Sequence, residues 1–61
     1  MRKNMFICEL SQDLQAKLYE KLKNEFLLEN EDLENAMDSR ICDLEELISF
    51  NEIQELENEV K

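Results

Sequence analysis

The sequence predicts a mainly α-helical fold, a small three-helix domain with a short N-terminal arm or β-strand that a dimer would pair. The 61 residues include no glycine and no proline, so tight hairpins lack the residues that favour them. Apolar residues recur at helical spacing over most of the chain. A chain of this length makes a single domain, residues 1–61, and buries only about 60% of the surface that it exposes when unfolded. Self-association would therefore help to stabilise it.

Residues 1–10 form the predicted arm or strand. Phe6, Cys8 and Leu10 alternate with Met5, Ile7 and Glu9, as in a β-strand with two different faces. Since we find no second strand-like segment and no internal repeat, the backbone groups of this segment need another partner. That partner is a second copy in a dimer or another protein, unless the segment is an extended arm. The residues expected to mediate self-association are Met5, Phe6, Ile7 and Cys8.

The first helix is predicted over residues 12–28. Ser11 is its expected N-cap, because a serine hydroxyl accepts a hydrogen bond from an early backbone N–H. An apolar stripe at i+4 spacing comprises Leu14, Leu18, Leu22 and Phe26. Tyr19 and Lys23 lie on a second flank, which belongs either to the core or, if the third helix leaves it open, to a partner surface. Because apolar side chains extend from this stripe to the second flank, we predict that the first helix is the central one and contacts both others.

The second helix is predicted over residues 31–48 and the third over residues 50–60. The apolar arc of the second helix contains Leu33, Ala36, Met37, Ile41, Leu44, Leu47 and Ile48. Arg40 falls inside this arc, so we expect its stem in the core and its guanidinium on a carboxylate. Ser49 and Glu52 have capping-box spacing, which favours a break at residue 49 over a bent continuous helix. Without glycine, asparagine at residues 24, 30 or 58 should supply left-handed backbone.

The negative charge is concentrated in the second half of the chain. Residues 1–30 contain five basic and five acidic side chains, whereas residues 31–61 contain two basic and eleven acidic ones, within a net charge of −9. This acidic surface is either a solvated coat or a docking surface for a basic, nucleic-acid-binding partner protein, where it would compete with phosphates. The predicted partner-binding residues are Glu31, Glu34, Asp38, Asp43, Glu45, Glu46, Glu52 and Glu55.

Enzymatic and metal chemistry are not expected. The chain has no histidine, no glycine-rich phosphate loop and no base beside Cys8 or Cys42. The acidic stretch 29–32 lacks the alternating ligands of a calcium loop. We therefore predict no catalytic residue, no cofactor and no metal site. No segment approaches the roughly 20 apolar residues of a membrane span. We expect a cytoplasmic protein whose cysteines are free thiols, with a disulfide as the alternative.

The order of elements over Met5–Ile48, with the Leu14, Leu18 and Leu22 spacing, resembles the ribbon-helix-helix family. The resemblance implies a homodimer in which two strands pair, as in a regulator or an antitoxin-type partner. In that family the outward side chains of the strands read bases. Here those side chains would be Met5, Ile7 and Glu9, which are poor base readers, so we expect no direct binding of nucleic acid.

The length, acidity and helical content of the whole chain resemble those of small phage anti-CRISPR proteins. The segment Glu34–Glu45 also resembles small phage proteins. The resemblance implies a phage-encoded inhibitor or modulator that acts in the cytoplasm of the host cell. Some proteins of that kind occupy the nucleic-acid grooves of their targets, which is the role that the acidic half of this chain would fit. The ribbon-helix-helix regulator is the alternative.

Overall fold

The central element of the fold is the helix α1, Gln12–Asn24. The computed structural model describes residues 2–60. α1 packs against α2, Asn30–Met37, and against α3, Phe50–Val60, which confirms the prediction of a small three-helix protein with a central first helix. Ser11 caps α1 as predicted, since its Oγ accepts a hydrogen bond of 3.2 Å from the Leu14 N–H.

Leucine and isoleucine dominate the core, which runs through every helix. The buried apolar side chains of the described residues are Ile7, Leu10, Leu14, Leu18, Leu22, Leu33, Ala36, Ile41, Leu44, Ile48 and Ile53. The predicted α1 stripe is confirmed for its three leucines, while Phe26 is half-buried. Most of the predicted apolar arc beyond residue 31 is also buried, with Leu47 as the exposed exception.

Two short 3-10 helices precede α1 and α3. They span Ile7–Glu9 and Ile41–Leu44, and they begin two nearly identical stretches of sequence, Ile-Cys-Glu-Leu at 7–10 and Ile-Cys-Asp-Leu at 41–44. In each one a carboxylate accepts a hydrogen bond from the backbone N–H three residues earlier, from Phe6 to Glu9 at 2.9 Å and from Arg40 to Asp43 at 3.1 Å. One capped turn therefore occurs twice in the fold.

The two turns are joined by reciprocal backbone hydrogen bonds. The Ile7 N–H donates to the Ser39 carbonyl at 3.0 Å, and the Ile41 N–H donates to the Met5 carbonyl at 2.9 Å. This exchange forms an isolated antiparallel bridge between Phe6 and Arg40. The β-strand alternative for residues 5–10 is wrong, because these backbone groups are satisfied within the same chain. A 3-10 turn places residues three apart on one side, so Ile7 and Leu10 are buried together.

α1 ends at Asn24, earlier than the predicted residue 28. The chain leaves the helix because Leu27 adopts a left-handed backbone with φ 57°. The Leu28 N–H then bonds to the Leu22 carbonyl at 3.1 Å, which returns half-buried Leu28 to the core. Asn30 takes φ 48°, as expected for one of the three candidate asparagines. The other two candidates lie inside α1 and α3.

The prediction of one helix over residues 31–48 is wrong. α2 stops at Met37, and the Ser39 Oγ donates to the Asn35 carbonyl at 2.7 Å beyond that end. Arg40 is then extended, with φ −85° and ψ 159°, because its neighbours bond to the N-terminal segment. The apolar spacing persisted across this break because Ile41 and Leu44 are three residues apart, a separation that suits a 3-10 helix as well as an α-helix.

The predicted third helix coincides with α3, Phe50–Val60. Ser49 starts it, since its Oγ accepts a hydrogen bond of 3.2 Å from the Glu52 N–H. The break favoured at residue 49 is therefore present. Glu52 itself turns to α1, where it reaches the ammonium of Lys21.

Candidate protein-binding surface

All eight carboxylates predicted to bind a partner are exposed. Three of them form a hydrogen bond or an ion pair within the chain. Asp43 caps the second 3-10 turn, Glu45 lies 4.0 Å from the ammonium of Lys3, and Glu52 lies 3.6 Å from that of Lys21. Because these three acids have partners within the fold, substituting them would change those contacts as well as binding.

The other five carboxylates have no ion pair or hydrogen bond within the described residues. They are Glu31, Glu34, Asp38, Glu46 and Glu55. Each is exposed, so each is in contact with solvent. Exposed like charges without partners at this density repel one another and contribute nothing to stability. Among the eight predicted residues, these five are the ones whose carboxylates are free to meet another molecule.

The eight acids do not form one cluster, since they are distributed over α2, the turn after it, the second 3-10 helix, the turn that follows that helix, and α3. The structure brings two of them to a common depression. Glu34 and Asp38 line it together with Tyr19 and Met37. The predicted partner-binding residues are thus spread over several surfaces, and the two that share a depression, Glu34 and Asp38, lie beside α1.

A larger groove adjoins this depression between α1 and α2, and its volume is about 600 Å³. Tyr19 and Met37 line both hollows, so the two form one continuous surface. Tyr19 is 44% exposed, so the interpretation of the flank with Tyr19 and Lys23 as part of the core is wrong. The other interpretation of this flank, a partner surface, is the one that remains. α3 packs on α1 without lining this groove.

The sequence reasoning missed two residues of the groove. Met37 was assigned to the apolar arc of the second helix, but it is only half-buried and lies in the groove. Glu20 lies at the groove edge near Lys23, although it belongs to the charge-balanced half of the chain. The position of Glu20 could have been predicted, because it is adjacent to Tyr19 in the sequence of α1. No sequence signal placed Met37 opposite α1.

One ion-pair network lies away from this groove and holds α1 to α3. The Lys21 ammonium is 2.9 Å from Glu25 and 3.6 Å from Glu52. The hydrogen bond to Glu25 raises the pKa of Lys21 above its ordinary value, and the charges of both glutamates add to the effect against a smaller opposing contribution from burial.

Arg40 is not placed as predicted. Its guanidinium lies 5.0 Å from the centroid of the Phe6 ring, and within the described residues it forms no ion pair. The residue is exposed, so its stem does not join the core. Because the backbone of Arg40 is extended, its side chain leaves the apolar arc predicted for the second helix and lies on Phe6. A planar guanidinium stacks favourably on an aromatic ring.

The predicted self-association residues are also divided. Ile7 is fully buried in its own core and Met5 is half-buried, whereas Phe6 and Cys8 are exposed. Cys8 and Cys42 are both exposed free cysteines. Among residues 2–60 no group of three or more histidine, cysteine, aspartate or glutamate side chains is placed to hold a metal ion. Over the same range, none of the helices has the length and hydropathy to span a membrane.

Comparison with protein-family models, curated proteins and solved structures found no match for this chain. The site must therefore be interpreted from its own geometry. That geometry consists of an exposed tyrosine and a half-buried methionine in a groove bordered by carboxylates that have no partner within residues 2–60.

Proposed function

We propose that this protein is a small acidic protein-binding inhibitor or modulator that docks on a basic, nucleic-acid-binding groove of a target protein. The observation that carries the proposal is that five of the eight predicted carboxylates are exposed and have no partner in the described chain, in a protein of net charge −9. A field of this size attracts basic surfaces and speeds encounter with them. Carboxylates that reach such a groove compete with the phosphates that it normally holds.

The specific form of this proposal is an anti-CRISPR-like role, in which a phage-encoded protein blocks a nucleic-acid channel in the cytoplasm of the host cell. What supports it is charge and size: a small protein with the sign of nucleic acid fits a channel built for a polyanion. Direct binding of nucleic acid is not proposed, because the same charge repels a duplex.

The ribbon-helix-helix alternative loses the feature on which it depended. The backbone N–H of Ile7 and the carbonyl of Met5 are bonded to residues 39 and 41 of the same chain. Strand pairing across a dimer would have to break these bonds. Self-association by another surface stays a separate question, which light scattering at two protein concentrations answers directly.

The test begins with affinity capture on the immobilised protein from a nuclease-treated host extract, followed by mass spectrometry and purification of the captured protein. We expect a basic, nucleic-acid-binding protein whose affinity falls steeply between about 0.05 M and about 0.5 M salt, because exposed charges are screened over roughly a Debye length. Added DNA or RNA should displace it. A captured protein that stays bound at high salt and is not displaced by DNA or RNA contradicts the proposal.

Charge reversal then tests the named carboxylates. Glu34→Lys with Asp38→Lys should abolish or greatly weaken capture. The matched control is Glu29→Lys with Glu59→Lys, which changes the net charge by the same amount at two exposed positions outside the predicted set. Equal loss in both variants would mean that net charge alone drives binding, without a docking face. No loss in either would mean that the acids are a solvent coat.

A further inference from the structure

We infer that the groove between α1 and α2 is the docking surface itself, and that it binds a segment of a partner protein carrying an arginine next to an apolar side chain. This inference rests on the proposed function and narrows it to one place and one chemistry. Its floor is Tyr19, Ala16 and Met37, and its carboxylates are Glu20, Glu34 and Asp38.

The floor of the groove is apolar and open. Tyr19 keeps 44% of its surface exposed in the described fold, and the small side chain of Ala16, one turn earlier on α1, leaves space beside it. Met37 faces them from the end of α2 and is half-buried. Tyrosine contributes a large contact area with little conformational freedom to lose, and methionine adapts its shape to different partners.

The α1 wall of the groove is held rigidly. Leu14, Leu18 and Leu22 fix the opposite side of α1 in the core. At the N-terminal end of the groove the amide of Gln15 donates to the Leu10 carbonyl at 2.7 Å and to the Cys8 carbonyl at 3.2 Å. A surface that is already ordered loses little entropy when a partner binds, so its contacts convert efficiently into affinity.

The charge around the groove selects a basic occupant. Three carboxylates, on Glu20, Glu34 and Asp38, line the combined surface, and none has an ion pair or hydrogen bond within residues 2–60. Lys23 is the single cation among the lining residues of these two hollows. An acidic occupant would be repelled, and a purely apolar one would leave the carboxylates unmatched.

Arginine fits this combination better than lysine. Its guanidinium stacks on the face of a tyrosine ring while its N–H groups donate to carboxylates at the ring edge. Here the Tyr19 ring shares one hollow with the Glu34 and Asp38 carboxylates, which supplies both partners at once. The neighbouring apolar side chain would then lie over Ala16 and Met37. Basic nucleic-acid-binding grooves carry arginines, so this chemistry agrees with the proposed target.

The location is tested by NMR titration of the full chain with a defined probe, a capped peptide of alternating arginine and leucine. Amide shifts should concentrate at Ala16, Tyr19, Glu34, Met37 and Asp38. A matched peptide with glutamate in place of arginine should cause none. Shifts confined to α3 or to the Phe6 region would overturn the inference, as would equal shifts with the acidic peptide.

The decisive variant is Tyr19→Ala, because it removes the stacking surface and leaves the net charge unchanged. Loss of a central aromatic anchor should weaken binding of the probe and of the captured partner by roughly tenfold or more. The matched control is Leu47→Ala, which truncates an apolar side chain of similar exposure, 40%, outside the groove. It should leave affinity within about twofold. Tyr19→Phe keeps the ring and should bind nearly as well as the original protein. An unchanged far-UV circular dichroism spectrum of Tyr19→Ala separates loss of stacking from loss of folding.

Failure of this inference is distinguishable from failure of the proposed function. If Glu34→Lys with Asp38→Lys abolishes capture of the partner and Tyr19→Ala does not, acidic docking stands, but the apolar floor of the groove takes no part in it and the inference is overturned. If neither variant matters, both ideas fail. If the protein dimerises in solution and Tyr19→Ala makes it monomeric, the occupant is a second copy, which overturns the basic partner segment stated here.

Discussion

The guanidinium of Arg40 lies 5.0 Å from the centroid of the Phe6 ring, at the point where the two residues also form an antiparallel backbone bridge. Phe6 precedes the first 3-10 turn and Arg40 precedes the second, so the contact joins equivalent positions of the repeated turn. The one arginine of the acidic half is thereby used to attach the N-terminal segment. It does not neutralise the carboxylates that surround it in sequence.

This contact should be measurable as a coupling energy between the two side chains. We expect Arg40→Gln and Phe6→Leu each to lower the free energy of unfolding, and the double variant to lose less than the sum, with a coupling of about 0.5–1 kcal/mol for an exposed pair. Urea denaturation followed by far-UV circular dichroism gives the four values. Lys17→Gln, which removes an exposed cation on α1, serves as the charge control and should show no coupling with Phe6→Leu. Strict additivity of Arg40→Gln and Phe6→Leu would refute the contact.

The carboxylate caps of the two turns should contribute separately to stability. Asp43→Ala removes the acceptor of the Arg40 N–H and should cost about 1 kcal/mol, as loss of a capping side chain usually does. Glu9→Ala should cost a similar amount through the Phe6 N–H.

Glu46→Ala provides the comparison for these caps, because Glu46 is equally exposed but has no partner within residues 2–60. Its removal should change the free energy of unfolding by no more than about 0.5 kcal/mol. If all three substitutions have the same effect in urea denaturation, relief of charge repulsion outweighs capping, and the role assigned to Glu9 and Asp43 is wrong.

Elements governed by local chemistry were predictable from the sequence. The leucines of α1 repeat at a spacing that only a helix buries on one side, and Ser11 and Ser49 precede their helices as hydroxyl caps do. These features depend on residues within one turn of each other. α1 and α3 therefore began where the sequence predicted.

The break after α2 was not predictable in this way, because its cause lies far away in sequence. Ser39 and Ile41 exchange hydrogen bonds with residues 5 and 7, and a periodicity calculation on residues 31–48 contains no information about them. The same applies to the candidate site. The exposure of the acids followed from their charge, but which of them have internal partners, and that Met37 faces Tyr19, depended on how the helices pack.

The left-handed backbone of Leu27 should be a site where substitution stabilises the protein. A leucine at φ 57° has its Cβ crowded against the backbone, whereas glycine adopts this conformation without strain. The side chain is 75% exposed, so little packing is lost when it is removed. We expect Leu27→Gly to raise the free energy of unfolding by about 0.5–1 kcal/mol, which corresponds to a rise in Tm of several degrees.

Leu27→Ala separates the two contributions at this position, because it removes the same side chain but keeps the Cβ. It should leave stability unchanged or lower it slightly in thermal denaturation. A lower Tm for Leu27→Gly than for Leu27→Ala would show that the flexibility of glycine in the unfolded chain outweighs relief of strain at this position, contrary to the prediction. A Tm of Leu27→Ala well below that of the original protein would show that the exposed leucine stabilises the fold through contacts.

The ion pairs of Lys21 predict how stability depends on alkaline pH. The pKa of Lys21 is raised above the ordinary value of 10.5, chiefly by the hydrogen bond to Glu25, so the folded state holds this proton more tightly than the unfolded state. The contribution of Lys21 to stability is therefore fully present below pH 10.5 and is lost as the pH rises through the higher pKa of the folded state.

Lys21→Met should cost about 0.5–1 kcal/mol at neutral pH, since both glutamate partners are largely exposed. The difference in free energy of unfolding between the original protein and Lys21→Met should shrink above pH 10.5, whereas the difference for Lys17→Met, which removes an exposed lysine without an ion pair in the described fold, should stay constant. Because the other groups that titrate at alkaline pH are the same in all three proteins, their contributions cancel in these comparisons. A Lys21→Met difference that persists unchanged to the highest pH at which the protein stays folded would assign its effect to packing of the lysine stem and not to the ion pairs.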